Sequence, residues 1–126
     1  MANRFIREFD SERQEVFKLI EKRIFEKSIR EDEENNYSIS RGGVNISYTI
    51  KEYVPNERIK ADLFSKNVSG AVDILFKDRE GGGSLVDIDL DLKSSSAIGG
   101  LFGFLISKEK IVNRFAYEVK RELGEL

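Results

Sequence analysis

The chain has 126 residues, 40% apolar and 35% charged, with a single Pro and a net charge of −2. A chain of this length buries roughly two-thirds of its unfolded surface, so residues 1–126 are expected to fold as one domain without a disulfide or a metal. The lack of both Cys and His excludes thiol nucleophiles, the usual zinc ligands and imidazole acid–base catalysis. The acidic balance gives no basic field for nucleic acid.

Met1 to Asp10 alternates charged and apolar residues without the apolar run of a secretory signal, and a cytoplasmic protein is expected. The abundance of Lys, Glu and Arg without Trp or Cys is thermophile-like. Arg4 to Phe9 reads as a first strand. Asp10-Ser11 then offers a helix start, with Ser11 and Gln14 in capping-box spacing. Val16, Phe17, Leu19, Ile20, Ile24 and Phe25 recur at helical intervals and predict an amphipathic helix of about four turns.

From Ser28 the period changes to two. Ser28 to Asp32 is a weak strand, Glu31 to Asn36 a charged tip, and Tyr37 to Arg41 leads into a Gly42-Gly43 hairpin. Val44, Ile46, Tyr48 and Ile50 alternate with Asn45, Ser47, Thr49 and Lys51, which marks a half-buried strand. Pro55-Asn56 turns the chain, and Ile59, Ala61 and Leu63 share one face of the next strand. After a break near Asn67 come Val72, Ile74 and Phe76. Gly81-Gly82-Gly83 closes another hairpin before Val86, Ile88, Leu90 and Leu92, which alternate with Asp87, Asp89, Asp91 and Lys93.

Ser94 to Ser107 is uncharged, but its apolar centre, Ala97 to Ile106, would cover only about 15 Å as a helix, half of a ~30 Å hydrocarbon core. Helical spacing returns from about Gly100 to Leu123, a predicted rod of about 36 Å. The expected fold class is α+β: a curved antiparallel sheet of six or seven strands wrapped around a long C-terminal helix, with a short helical segment after strand 1. A one-faced meander must cover its apolar side, so both helices are expected on the concave face.

This element order, the helix directly after the first strand, and the Ile98-Gly99-Gly100-Leu101-Phe102-Gly103 entry to the last helix resemble the START/Bet v 1-like (SRPBCC, helix-grip) superfamily. That superfamily includes polyketide cyclases and lipid-transfer domains. The resemblance covers nearly the whole chain and extends to small uncharacterised archaeal members. It implies an apolar cavity between the sheet and the last helix. The implied ligand-binding residues are Ile46, Tyr48, Ile50, Leu63, Ile74, Phe76, Ile88 and Leu90 from the sheet. Phe102, Phe104, Leu105, Ile111 and Phe115 complete the set from the helical side. These side chains can equally fill a solid core, because an empty ~300 Å³ would cost several kcal/mol at ~24 cal/mol per Å³.

The Tyr48 phenol, on the inward face, needs a hydrogen-bond partner, either a ligand or an internal group. Gly99, Gly100 and Gly103 each weaken a helix start by ~1 kcal/mol. The segment they punctuate reads as close packing on the sheet, as a lid gated by Leu101 and Phe102, or as an interfacial segment. Asp87, Asp89 and Asp91, ~6.8 Å apart along one strand face, read as a solvated outer face paired with Arg4 or Arg7, and no metal is expected. No cofactor is expected, and without His, Cys or a catalytic motif no enzyme is expected. The expected function is a binding or carrier domain for a small hydrophobic or amphipathic ligand of lipid, isoprenoid or polyphenol type. Two alternatives stay open: a polyketide-cyclase-like enzyme, or a membrane or protein interaction module built on residues 98–106. Nucleic acid is not an expected partner, peripheral membrane contact is admitted, and the chain is expected to be a monomer or weak dimer.

Overall fold

Strict alternation of apolar and polar side chains suits a strand with one face buried and one face wet, and that pattern sets the architecture. The computed structural model describes residues 3–26, 28–30, 35–41, 44–65, 68–94 and 108–126. Its elements in chain order are β1 (Arg4–Phe9), α1 (Arg13–Phe25), β2 (Ile29–Arg30), β3 (Asn36–Arg41), β4 (Val44–Val54), β5 (Arg58–Ser65), β6 (Val68–Asp78), β7 (Ser84–Ser94) and α2 (Lys108–Leu123). The strands form a seven-stranded sheet in the order β1-β7-β6-β5-β4-β3-β2, with every neighbouring pair antiparallel. Strands β2 to β7 meander, and β1 joins at the far side of β7. The first strand thus pairs with the last, which brings α1 and α2 to the same end of the sheet.

Rows of facing residues define the covered side. Tyr53, Ile59, Ile74, Ile88 and Phe5 form one such row across five strands, and Ile50, Ala61, Val72 and Leu90 form the next. Helix α1 lays Val16, Phe17 and Ile20 on this face, and α2 lays Val112, Ala116 and Val119 beside them. Val16, Ile20 and Val119 are 0% exposed. Phe17 meets Phe76 edge to face at 5.0 Å between centroids, the arrangement that ring quadrupoles favour.

Two backbone features adjust this regular pattern. A bulge between Ile50 and Glu52 inserts Lys51, so Glu52 swings outward to Arg58 (3.0 Å) and Tyr53 faces α1, where its ring meets Phe17. At Gly70 a side-chain Cβ would lie 2.0 Å from the Asp91 carbonyl oxygen. Only glycine permits that approach of β6 to β7.

The helix boundaries differ from the expectation. α1 begins at Arg13 after Glu12, with no side-chain cap. The capping box does not form, because the Ser11 hydroxyl instead donates to Glu125 (2.8 Å), while the Ser11 carbonyl accepts from Ser84 (2.9 Å). The Glu125 carboxylate also accepts from the Asp10 and Ser11 backbone N–H groups, at 2.7 and 3.3 Å. Gly124, at φ 76°, turns the chain out of α2 towards that contact. The described part of α2 starts at Lys108, and the expected first turns, 100–107, lie outside the described residues. So do the Gly42-Gly43 tip, the charged tip at 31–34 and the break near 67. β2 is the two-residue strand Ile29–Arg30, within the expected 28–32, of which 31–32 lie outside the described residues.

The aspartate face is less wet than expected. Asp87 is 4% exposed, set between Ile6 of β1 and Leu75 of β6. The Arg4 Nε donates to both its carboxylate oxygens at 2.9 and 3.0 Å, and Lys77 stands 3.5 Å away. Asp73 takes a similar fork from Arg58, at 2.9 and 2.6 Å. Arg7, the other expected partner, points to the helix side and donates to the Asn113 Oδ1 at 3.0 and 2.7 Å. Strand parity dictates this, since Arg4 and Arg7 are three residues apart.

Ile20→Ala is expected to lower the unfolding free energy by about 2–5 kcal/mol in urea denaturation, because the site is sealed on all sides. Hydrogen bonds from Arg4, opposed by burial, hold the Asp87 carboxyl below its ordinary value of 3.8. The unfolded carboxylate binds a proton more readily, so the stability from Asp87 is fully present above about pH 5 and is lost as pH falls through the folded value. The stability difference between wild type and Asp87→Asn should be greatest near about pH 7 and shrink towards about pH 2. A difference that stays constant across that range would remove the ion pair from the account.

Candidate functional site

The helices cover the sheet unevenly. Below them the covered face is solid: Ile74, Phe76, Ile88 and Leu90 are between 3% and 7% exposed and belong to the central apolar cluster with Val112, Ala116 and Val119. Towards β3 the same face is half-buried, at Ile39, Ile46 and Leu63. There α1, α2 and β3 bound an open groove of about 900 Å³, within the ~300–1,000 Å³ range of small-molecule sites.

Ile24 of α1, Ile39 of β3, and Ile111 and Phe115 of α2 supply its apolar surface. Its charged wall is an ion-pair clasp between the helices. The Arg23 guanidinium reaches Glu118 at 2.5 Å and Glu122 at 2.6 Å, and Arg114 stands 3.6 Å from Glu118. Arg23 and Glu118 are each about one-fifth exposed, so the clasp is partly shielded from solvent. Its charges satisfy one another and leave the apolar surface as the main source of attraction for a ligand.

The sequence-derived lining residues fall into four groups. Ile111 and Phe115 line the groove. Ile46 lies opposite Ile39 in the β3–β4 ladder, while Leu63 and Ile50 pack at the margin of the core. Ile74, Phe76, Ile88 and Leu90 are sealed in the core. Phe102, Phe104 and Leu105 lie outside the described residues, as does the whole Gly-rich segment. Ile24 and Ile39 line the groove but were not among the expected residues. The cross-hairpin partnership of Ile39 with Ile46 was the available signal.

Tyr48, 7% exposed, has an internal partner. Its hydroxyl donates to the Ser28 Oγ at 2.6 Å, and Ser28 in turn donates to the Ile24 carbonyl at 2.5 Å. The Tyr37 ring stacks on Tyr48 at 5.2 Å. Burial raises the Tyr48 pKa above 10.0, with the Ser28 hydrogen bond acting the other way. The phenol is therefore neutral at physiological pH and ties β4 to the end of α1. Among the described residues no group of His, Cys, Asp or Glu is arranged to hold a metal ion. No helix there is long and apolar enough to cross a membrane.

No family model matches the chain, and no curated protein matches it. Solved structures do resemble it. A putative uncharacterized protein from Rhizobium leguminosarum has a TM-score of 0.66 at 11% identity, covering 94% of this chain and 93% of that one. A Chromobacterium violaceum protein gives 0.61 at 12% identity over 98% and 96%. A Deinococcus radiodurans protein gives 0.59 at 12% identity over 96% of both chains. At such identities the likeness is one of fold.

Tyr48→Phe is expected to lower stability by about 1 kcal/mol in urea denaturation. Ser28→Ala removes the same hydrogen bond, so the double variant should lose less than the sum of the two single changes.

Proposed function

We propose that this chain is a cytoplasmic binding or carrier domain of the START/Bet v 1-like, helix-grip type. It holds a small hydrophobic or amphipathic molecule of lipid, isoprenoid or polyphenol class against the apolar surface between α1, α2 and β3. The observation that carries the reading is the groove itself: Ile24, Ile39, Ile111 and Phe115 meet around about 900 Å³ beside an otherwise close-packed core. Burying an apolar molecule there releases water from both surfaces, at roughly 25 cal/mol per Å² removed from solvent. The paired charges of Arg23, Glu118 and Glu122 attract neither a strong anion nor a strong cation, which suits a neutral or weakly polar ligand. The seven-stranded antiparallel sheet with a C-terminal helix supports the helix-grip assignment.

The test is a thermal-shift and native mass spectrometry series with a long-chain fatty acid, an isoprenoid alcohol and a flavonoid. At least one should raise the melting temperature and appear as a bound mass. Ile111, 44% exposed, allows substitution with little effect on folding, typically within about 0.5 kcal/mol. Ile111→Glu should weaken binding by about tenfold or more by placing a carboxylate against the apolar ligand. Absence of any shift or bound mass with all three probes would overturn the proposal.

A further inference from the structure

The sheet ends on one side in the two-residue strand β2 and on the other in β1, whose far edge pairs with no strand among the described residues. In an antiparallel ladder the backbone groups of successive residues point alternately to one neighbour and the other. The Leu90 N–H donates to the Asn3 carbonyl at 2.8 Å, so Asn3, Phe5, Arg7 and Phe9 are the residues whose backbones bond β7. Arg4, Ile6 and Glu8 therefore aim their N–H and carbonyl groups at the open edge. The Arg7 side chain agrees with this parity, since its Nη1 donates to the Ile6 carbonyl at 2.8 Å. Past Glu8 the edge is closed, because the Asp10 N–H is taken by Glu125 at 2.7 Å.

The side chains along this edge are complementary to those of a second copy of it. Ile6 is 49% exposed, and Arg4 and Glu8, two residues to either side on the same face, are 62% and 68% exposed. An antiparallel copy centred on Ile6 sets Arg4 against the partner's Glu8 and Ile6 against the partner's Ile6. On the other face it sets Phe5 against the partner's Arg7. Opposite charges and apolar pairs facing across strands are stabilising, and a shift of two residues would set a charge against Ile6 instead. The groups are also available. Arg4 uses Nε and Nη2 for Asp87, which leaves Nη1 for a second carboxylate. Glu8 stands 3.7 Å from Arg79, beyond hydrogen-bond distance.

From these features we infer that β1 is a dimerisation edge, at which two copies of this chain pair β1 to β1 antiparallel about a two-fold axis beside Ile6. The outward N–H and carbonyl groups of Arg4, Ile6 and Glu8 then meet those of the partner, and the two sheets become one. The assembly is closed, because the pairing uses up both β1 edges and β2 is too short to extend it. Helix α2 follows β1 on the covered face, with Asn113 at Arg7 and Lys120 over Phe9. Tyr117, one turn after Asn113 and on the same side of α2, is 56% exposed and faces the partner's α2 in this arrangement. Ile111 and Phe115 lie on the opposite side of the helix, so the groove stays open in both copies and the inference does not depend on it. An edge this short buries less than the ~1,200 Å² of a standard interface, which makes the dimer weak and concentration-dependent.

The experiment is sedimentation equilibrium of the whole chain at concentrations up to about 1 mM, with amide hydrogen exchange followed by NMR at both ends of the range. The mass should rise towards twice that of the chain, and the Ile6 and Glu8 amides should gain protection as it does. Ile6→Lys should weaken association by about tenfold or more, because it removes the apolar contact and sets two ammonium groups face to face. Glu8→Lys, which opposes Arg4 with a like charge, should weaken it by about fivefold. Both side chains are exposed, so circular dichroism should report an unchanged fold in each variant. A chain that stays monomeric throughout, or that forms open-ended assemblies, would overturn the inference. So would a dimer that keeps its affinity in Ile6→Lys or leaves the Ile6 amide exchanging as in the monomer.

Discussion

A sheet that is apolar on one face only must have that face covered, and in this chain the cover is delivered by a pairing between its most distant strands. β1 adds beside β7, in register from Arg4 with Asp89 to Phe9 with Ser84, and the helix that follows β1 is thereby laid across the apolar side next to α2. Phe9, Val16, Ile20 and Val119 then close over Ile59, Ile74 and Val86. Remove the β1–β7 pairing and α1 has no reason to lie there. Long-range closure of this kind is entropically costly, and it is offset by burying a continuous apolar cluster drawn from both ends of the chain.

The same arrangement explains why the covered face has two characters. Where α1 and α2 lie side by side, large side chains interlock and leave a dry core. Towards β3 the apolar ladder of the sheet continues beyond the helices, and the groove lies there. The ionic contacts follow a related logic. Arg23 ties the helices together with Glu118 and Glu122, and Arg4 neutralises Asp87 where a strand packs between apolar neighbours. A buried carboxylate is tolerable there because its oxygens are engaged by a guanidinium fork.

Much of the fold was legible in the residues. β1, β3 to β7 and α1 follow from the switch between periods of two and 3.6, because each element has one buried face and its pattern records that fact. What escaped the sequence was mostly non-local. Ser11 carries the right spacing for a helix cap, but its hydroxyl is taken by Glu125, 114 positions away. The bulge at Lys51 breaks the alternation by one residue, so simple parity would have turned Glu52 inward and Tyr53 out. Asp87 looked like its neighbours Asp89 and Asp91 until β1 placed Ile6 and Arg4 beside it. The site was partly legible for a similar reason. Periodicity identifies inward residues such as Ile74 and Ile111 alike, but only the crossing of the helices separates the sealed from the accessible.

The anchoring of α2 has a mechanical corollary. Around its C-terminal half gather the Arg23 contacts to Glu118 and Glu122, Lys120 over the Phe9 ring at 5.6 Å, and the Glu125 bonds to Asp10 and Ser11. Towards Lys108, among the described residues, Arg7 reaches Asn113 and Lys108 reaches Asn3, and Val112 and Ala116 seat the same stretch in the core. Ile111 and Phe115 each stand one position before these sealed residues, so they ride on a rod whose opposite side is fixed. The wall they offer is set in place before anything meets it, and little freedom remains there to be lost on contact.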